Sequence, residues 1–131
     1  MIGLDTNILV RFLVRDDQEQ HERACALLRR GSDEGEVFFI PDVVLAEVAW
    51  VLKAWYHFED AEIGGAIRGL ASAERLEFES VDRLMRALSR FDHGKGGFAD
   101  YLIAERCREA DCGSVATFDR ALLDEPQFLA P

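Results

Sequence analysis

Four acidic residues stand where a carboxylate can do chemistry: Asp5, Glu47, Asp100 and Asp119. Asp5 follows the short apolar run Ile2-Gly3-Leu4, and Asp119 follows Ser114-Val115-Ala116-Thr117. Both are therefore expected at the carboxyl ends of parallel strands, the edge at which open α/β sheets bind ligands. Asp100 falls in the first turn of a helical stretch beginning at Phe98, where the macrodipole and free N–H groups favour a negative charge. Each of these three also has an ordinary reading as a helix cap. Glu47 does not. It lies in the middle of Val43–Leu52, a helical stretch apolar almost all the way round and so expected to be buried. A carboxylate buried there costs several kcal/mol unless it is paired or holds a metal. The alternative for Glu47 is an ion pair with a buried arginine.

Carboxylates without an accompanying Cys or His pattern suit a hard, oxygen-loving cation, Mg2+ or Mn2+. In this reading Asp5, Asp100 and Asp119 hold the ion directly or through water, and Glu47 is a further ligand or orients a bound water. Thr117, Thr6 and Asn7 are placed to fix the orientation of the carboxylates. His21, His57 and His93 share no metal-ligand spacing and are expected at surface or loop positions. Gly94-Lys95-Gly96-Gly97 lacks the pattern of a phosphate-binding P-loop and reads as a flexible connector. Trp50 and Trp55, five residues apart, do not share a helix face; one is expected in the core and the other at a contact between two copies of the chain.

The elements that must position these residues alternate. Strands are expected at Ile2–Leu4, Val37–Ile40, Leu76–Glu79 and Ser114–Thr117, with a terminal Gln127–Leu129 segment. Between them lie a helix from Thr6, one opened by Asp16-Asp17-Gln18-Glu19 and stopping near Gly31, a long one from Pro41-Asp42 to about Phe58, and one after Glu59-Asp60. Further helices cover the Val81–Phe91 region, with Val81, Leu84, Met85, Leu88 and Phe91 on one face, and Phe98–Ala110, with a short one from Asp119. This order predicts a three-layer α/β/α sandwich around a central, mostly parallel sheet, in a single domain over residues 1–131.

The chain has 25 acids against 15 bases, a formal net charge of −10. That excludes a whole-surface affinity for nucleic acid, which rests on Lys and Arg neutralising phosphates. An acidic substrate has to be met by a local patch or a bound cation. Cys25, Cys107 and Cys112 make neither a disulfide framework nor a zinc site, and buried thiols in a reducing compartment are expected. No run approaches the ~20 apolar residues that span a bilayer, and Met1–Leu4 runs into Asp5 without a basic-then-apolar leader. A cytoplasmic protein is expected.

Leu4-Asp5-Thr6-Asn7, Glu47 in its apolar helix, Ala99-Asp100-Tyr101-Leu102-Ile103-Ala104 and Thr117-Phe118-Asp119-Arg120 together resemble the PIN-domain nucleases, and among them the toxin ribonucleases of the VapBC toxin–antitoxin class. The resemblance spans the chain, and the set of four motifs is far more specific than any one. It implies an α/β/α sandwich, a Mg2+ or Mn2+ site, endonucleolytic cleavage of RNA, homodimerisation and an antitoxin partner. The metal would activate a water, polarise the phosphate and stabilise the leaving oxygen. Arg11, Arg15 and Arg120 are candidate phosphate contacts. An antitoxin that blocks four carboxylates would most simply lay a basic, arginine-bearing tail into them. Two alternatives stay open: a catalytically silent PIN-like binding module that docks a basic partner, and an aspartate-based phosphotransferase built on Asp5.

Overall fold

Every strand pairing in the protein is parallel, as the alternation of strands and helices predicted. The computed structural model describes residues 1–131 and contains, in order, β1 (Ile2–Gly3), α1 (Thr6–Leu13), α2 (Gln18–Glu34), β2 (Phe38–Ile40), α3 (Asp42–Ala54), α4 (Asp60–Ala71), β3 (Leu76–Phe78), α5 (Val81–Phe91), α6 (Phe98–Glu109), β4 (Val115–Ala116) and β5 (Phe128–Leu129). The pairings fall into two sheets, β1-β2-β3 and β4-β5. They belong to two compact units, Met1–Glu79 and Ser80–Pro131.

In the first unit β2 is the central strand. Phe38 stands opposite Ile2 on one side and Leu76 on the other. Phe38 and Ile40 are fully buried, which accounts for a strand without a polar residue. Asp17 caps α2 through a 3.0 Å bond from Gln20 N, but the helix runs past Gly31 to Glu34. Gly35, at φ 75°, supplies the left-handed cap that Gly31 was expected to supply. Gly31 lies inside the helix at a point where a Cβ would meet Arg75 Cβ at 2.8 Å. Its role is close approach. The long helix expected to reach Phe58 stops at Ala54, and His57 turns the chain at φ 56°. Glu62 then accepts a 2.9 Å bond from Glu59 N and starts α4.

His21 is buried, not at the surface. A carbonyl can only accept, so its Nδ1–H donates to Arg11 O at 2.8 Å and fixes the ring against the end of α1. Trp50 and Trp55 are both exposed, so neither is a core residue.

In the second unit α5 and α6 pack through Leu84, Ala87, Leu88 and Phe91 against Phe98, Tyr101, Leu102 and Ala104, all buried. The Phe91 and Phe98 rings meet edge to face at 6.1 Å. Val81 and Met85, expected on this face, lie at its margin and are exposed, while Arg83 is buried instead. Arg83 Nη1 reaches Glu109 Oε2 at 2.7 Å, which satisfies a charge that the apolar pattern alone would have placed in water.

The glycine loop is no flexible connector. A Cβ at Gly94 would strike the Tyr101 hydroxyl, and Gly96 N donates to that hydroxyl at 3.0 Å. The hydroxyl in turn donates to Glu125 Oε2 at 2.6 Å. After β4 the chain forms a turn where a short helix from Asp119 was expected, with i→i+3 bonds such as Leu122 N to Asp119 O at 3.1 Å. Of the thiols expected to be buried, Cys112 is exposed and the other two are half-buried. No helix is long and apolar enough to cross a membrane.

Candidate functional site

Asp5, Thr6 and Glu47 form a short chain of hydrogen bonds at the carboxyl end of β1. Asp5 is the N-cap of α1, with extended backbone (φ −82°, ψ 160°), and its Oδ1 accepts from Thr6 N at 2.8 Å. Thr6 is only 4% exposed, and its hydroxyl donates to Glu47 Oε2 at 2.9 Å across 41 residues of sequence. The capping reading and the site reading of Asp5 are therefore compatible. The cap engages one carboxylate oxygen and leaves the other uncommitted.

Glu47 corrects the sequence reading. It is exposed, not buried. Helix α3 buries Val44, Leu45, Val48, Ala49 and Leu52 and turns Val43, Glu47 and Trp50 outward. Apolar residues on its outward face made the helix look buried all round. The desolvation argument for Glu47 therefore falls, and the alternative of a buried arginine partner falls with it: no cation pairs with Glu47, whose one side-chain bond is to Thr6. What singles the residue out is a buried hydroxyl aimed at its carboxylate.

In the second unit, Asp100 is half-buried in the first turn of α6, and its Oδ2 accepts from Gly97 N at 2.8 Å. The sequence could have shown this, because a glycine three residues before the acid at a helix start has the spacing of the returning half of a capping box. Asp119 is exposed, and its Oδ1 accepts from Ala121 N at 2.9 Å. Its own N–H donates to Thr117 Oγ1 at 3.0 Å. Thr117 thus holds the Asp119 backbone and not its carboxylate, which was the group it was expected to orient.

The four acids share one pattern. Each spends one oxygen on a backbone N–H or a hydroxyl, leaves the other oxygen uncommitted, and lacks an ion-pair partner. Other acids of the chain are neutralised, as in Asp16–Arg11 and Glu105–Arg86. Oriented hard oxygen donors without a competing cation fit Mg2+ or Mn2+. Within neither unit taken alone do three or more such side chains converge as a ready-made cage.

The proposed phosphate contacts divide. Arg11 is engaged, with Nε on Gln20 at 2.6 Å and Nη1 on Asp16 at 2.9 Å and on the Tyr56 hydroxyl at 3.3 Å. The Tyr56 hydroxyl and the Arg11 guanidinium together hold the Asp16 carboxyl below its ordinary range. Arg15 and Arg120 are exposed, and neither guanidinium has an acidic partner. Asn7 makes no side-chain hydrogen bond and lines a cavity of about 570 Å3 with Ile8, Arg11, Gln20 and Arg23.

The Thr6–Glu47 bond can be tested apart from the acids. Thr6→Val keeps the shape and removes the bond to Glu47, so it should lower stability by about 1 kcal/mol. The rate of any reaction that uses Glu47 should fall about tenfold, and Thr6→Ser should restore most of it. Urea denaturation and single-turnover rates on the same preparations separate the two effects.

The sequence profile described as the PIN domain matches residues 2–127. A VapC ribonuclease of Aquifex aeolicus (strain VF5) is 25% identical over 117 residues, which cover 89% of this chain and 86% of that protein. A solved structure, that of the Mycobacterium tuberculosis toxin VapC20, which cleaves the sarcin-ricin loop, aligns over 100% of both chains at 20% identity with a TM-score of 0.42. With all four motif acids inside the matched span, the chain belongs to the PIN-domain family and is a distant homologue of the VapC ribonucleases.

Proposed function

We propose that this PIN-domain protein is a Mg2+- or Mn2+-dependent endoribonuclease, the toxin of a type II toxin–antitoxin pair, with Asp5, Glu47, Asp100 and Asp119 serving one catalytic centre. The observation that carries this reading is the shared state of the four carboxylates, each anchored through one oxygen with the other uncommitted and uncompensated by any cation. A bound divalent ion supplies a nucleophilic water and charge stabilisation for the phosphate. The chain's own residues supply the rest. Asp5, Asp100 and Asp119 present oxygens already oriented by backbone N–H groups, so little reorganisation is needed when substrate binds. Glu47, held by the Thr6 hydroxyl, orients the attacking water and accepts its proton at Oε1. Arg15 and Arg120 meet RNA phosphates, a role for which Arg11 is less suited because its guanidinium is already engaged.

The same chemistry defines the partners. A chain of net charge −10 with uncompensated carboxylates at its site attracts a basic segment, and we assign that role to an arginine-bearing tail of the antitoxin. The homodimer that the family implies would bury the exposed rings of Trp50 and Trp55.

Purified chain incubated with a structured RNA should cleave it in Mg2+ or Mn2+, stop on addition of EDTA, and resume when the metal is restored. Mn2+ should also broaden amide resonances next to Asp5 and next to Asp100 with the same titration midpoint. Separate midpoints would break the single-centre reading, and cleavage unaffected by EDTA would break the metal reading. Metal binding without any cleavage would leave the silent binding module standing in its place.

A further inference from the structure

Helix α6 ends on a pair of thiols. Asp111, just past the helix, takes φ 65°. Its N–H donates to Arg108 O at 3.0 Å, and Cys112 N–H donates to Cys107 O at 3.0 Å. These two nested bonds, closed by one left-handed residue, make a Schellman motif. The motif commonly brings the side chains of its first and sixth residues together, ordinarily as an apolar contact. Here those residues are Cys107 and Cys112. A 3.0 Å bond from the nitrogen of one to the oxygen of the other keeps their Cα atoms within about 7 Å. Bends along that path bring them into the ~4.4–6.8 Å that a disulfide spans. Both thiols are free, Cys107 half-buried and Cys112 exposed. Burial pushes the Cys107 thiol up, the neighbouring Cys112 thiol adds to the rise, and Arg106 opposes it.

We propose that Cys107 and Cys112 are a redox modification site, closing a reversible disulfide across the junction of α6 and β4 when the protein meets hydrogen peroxide. Cys112 is the accessible sulfur and reacts first. Its thiolate attacks one peroxide oxygen, the O–O bond breaks, hydroxide leaves, and Cys112 becomes a sulfenic acid. The Cys107 sulfur then attacks the sulfenic sulfur. The S–S bond forms, the S–O bond breaks, and the departing oxygen leaves as water with the proton that Cys107 gives up. In sum, two thiols and one hydrogen peroxide give one disulfide and two waters. The tether is short, so closure outruns capture by an outside thiol. Cys25 serves as an internal control: its sulfur lies 3.5 Å from His21 Nε2, so it has an imidazole beside it rather than a second thiol. This proposal does not depend on the nuclease reading.

The test uses the full chain treated with hydrogen peroxide, alkylated and digested with trypsin. Cleavage after Arg106 and Arg108 separates the two cysteines, so the bridge appears as peptide 107–108 joined to peptide 109–120, lighter by two hydrogens than its parts. That species should exceed any disulfide containing Cys25 by about tenfold or more, and dithiothreitol should reverse it. The exposed Cys112→Ser, which leaves the α6 packing untouched, should abolish it. Recovery of Cys112 as alkylated thiol, as sulfinic acid without a bridge, or joined to a second chain would overturn the proposal.

Discussion

Asp5→Asn should reduce metal-dependent RNA cleavage by about 10²–10³-fold while leaving the protein folded. The two consequences separate because the cap uses one oxygen of Asp5 and the proposed metal ligand is the other. Oδ1 accepts the 2.8 Å bond from Thr6 N that caps α1, and an asparagine oxygen accepts the same bond; Asn and Asp are near-equal as N-caps. The stability change should stay within about 0.5 kcal/mol, as for other exposed substitutions. The oxygen without a partner becomes an amide nitrogen, which cannot ligate a hard cation. Losing one ligand's share of transition-state stabilisation, about 3–4 kcal/mol, corresponds to that fall at about 1.4 kcal/mol per tenfold. Asp5→Ala should lose activity to the same degree and about 1 kcal/mol of stability besides, because the cap goes with the ligand. Single-turnover cleavage and urea denaturation, run on wild type and both variants, test the split. An Asn variant within tenfold of the wild-type rate would remove Asp5 from the catalytic centre.

The largest effect on stability belongs to a residue with no proposed part in catalysis. Glu105 is 4% exposed, and its carboxylate gathers three arginines: Arg86 Nε at 3.0 Å, Arg108 Nη2 at 2.7 Å and Arg90 Nη1 at 3.3 Å. Burial alone would push the Glu105 carboxyl up. Hydrogen bonds from Arg86 and Arg108, the charge of Arg108 and the contact with Arg90 outweigh it and hold the carboxyl below its ordinary range. Glu105→Gln removes the anion shared by the three guanidiniums and leaves Arg86 and Arg90 only the longer contacts to acids, Glu109 and Glu125, at 3.6 and 3.9 Å. Losing one partner of a fully buried pair costs about 3–5 kcal/mol. Arg108 and Arg86 are partly solvated, so about 2–4 kcal/mol is expected here.

The sign with pH follows from the lowered folded-state pKa. In the unfolded chain the carboxyl titrates near 4.5, the ordinary value. The stabilisation is complete above that pH and is lost as pH falls through the lower folded-state value. The arginines stay charged throughout. The gap between wild type and Glu105→Gln in urea midpoints should therefore be constant from neutral pH to about pH 5 and narrow at lower pH. A gap that did not narrow in acid would mean that Glu105 acts through packing and not through its charge.

Much of the candidate site was legible because its anchoring is local. Asp5, Asp100 and Asp119 each take a hydrogen bond from a backbone N–H within three residues, and short-range caps of that kind leave their mark in neighbouring residue types. Glu47 was chosen for a reason that the structure removes. Its helix carries apolar residues on both faces, so hydrophobic periodicity could not say which side meets solvent. The exposed Val43 and Trp50 made an outward face look like an inward one. Glu105 went unremarked because two of its three partners, Arg86 and Arg90, lie 19 and 15 residues away on α5. The α5 arginines lie off the apolar face that the period picks out, and only the packing of α6 brings Glu105 to them.

The sequence by itself determined the alternation of strands and helices, the parallel sense of the pairings and the residues that begin each helix, and it nominated the four candidate acids. All of these depend on φ/ψ preference, capping chemistry and hydrophobic period over a few residues. Only the tertiary structure decided which face of α3 Glu47 occupies, that the Thr6 hydroxyl reaches it, that the Tyr56 hydroxyl joins Arg11 and Asp16, and that Tyr101, on which the glycine loop rests, is held by Glu125. Those are contacts between segments that periodicity orients but cannot bring together, because what covers a face is set by long-range packing and not by the face itself.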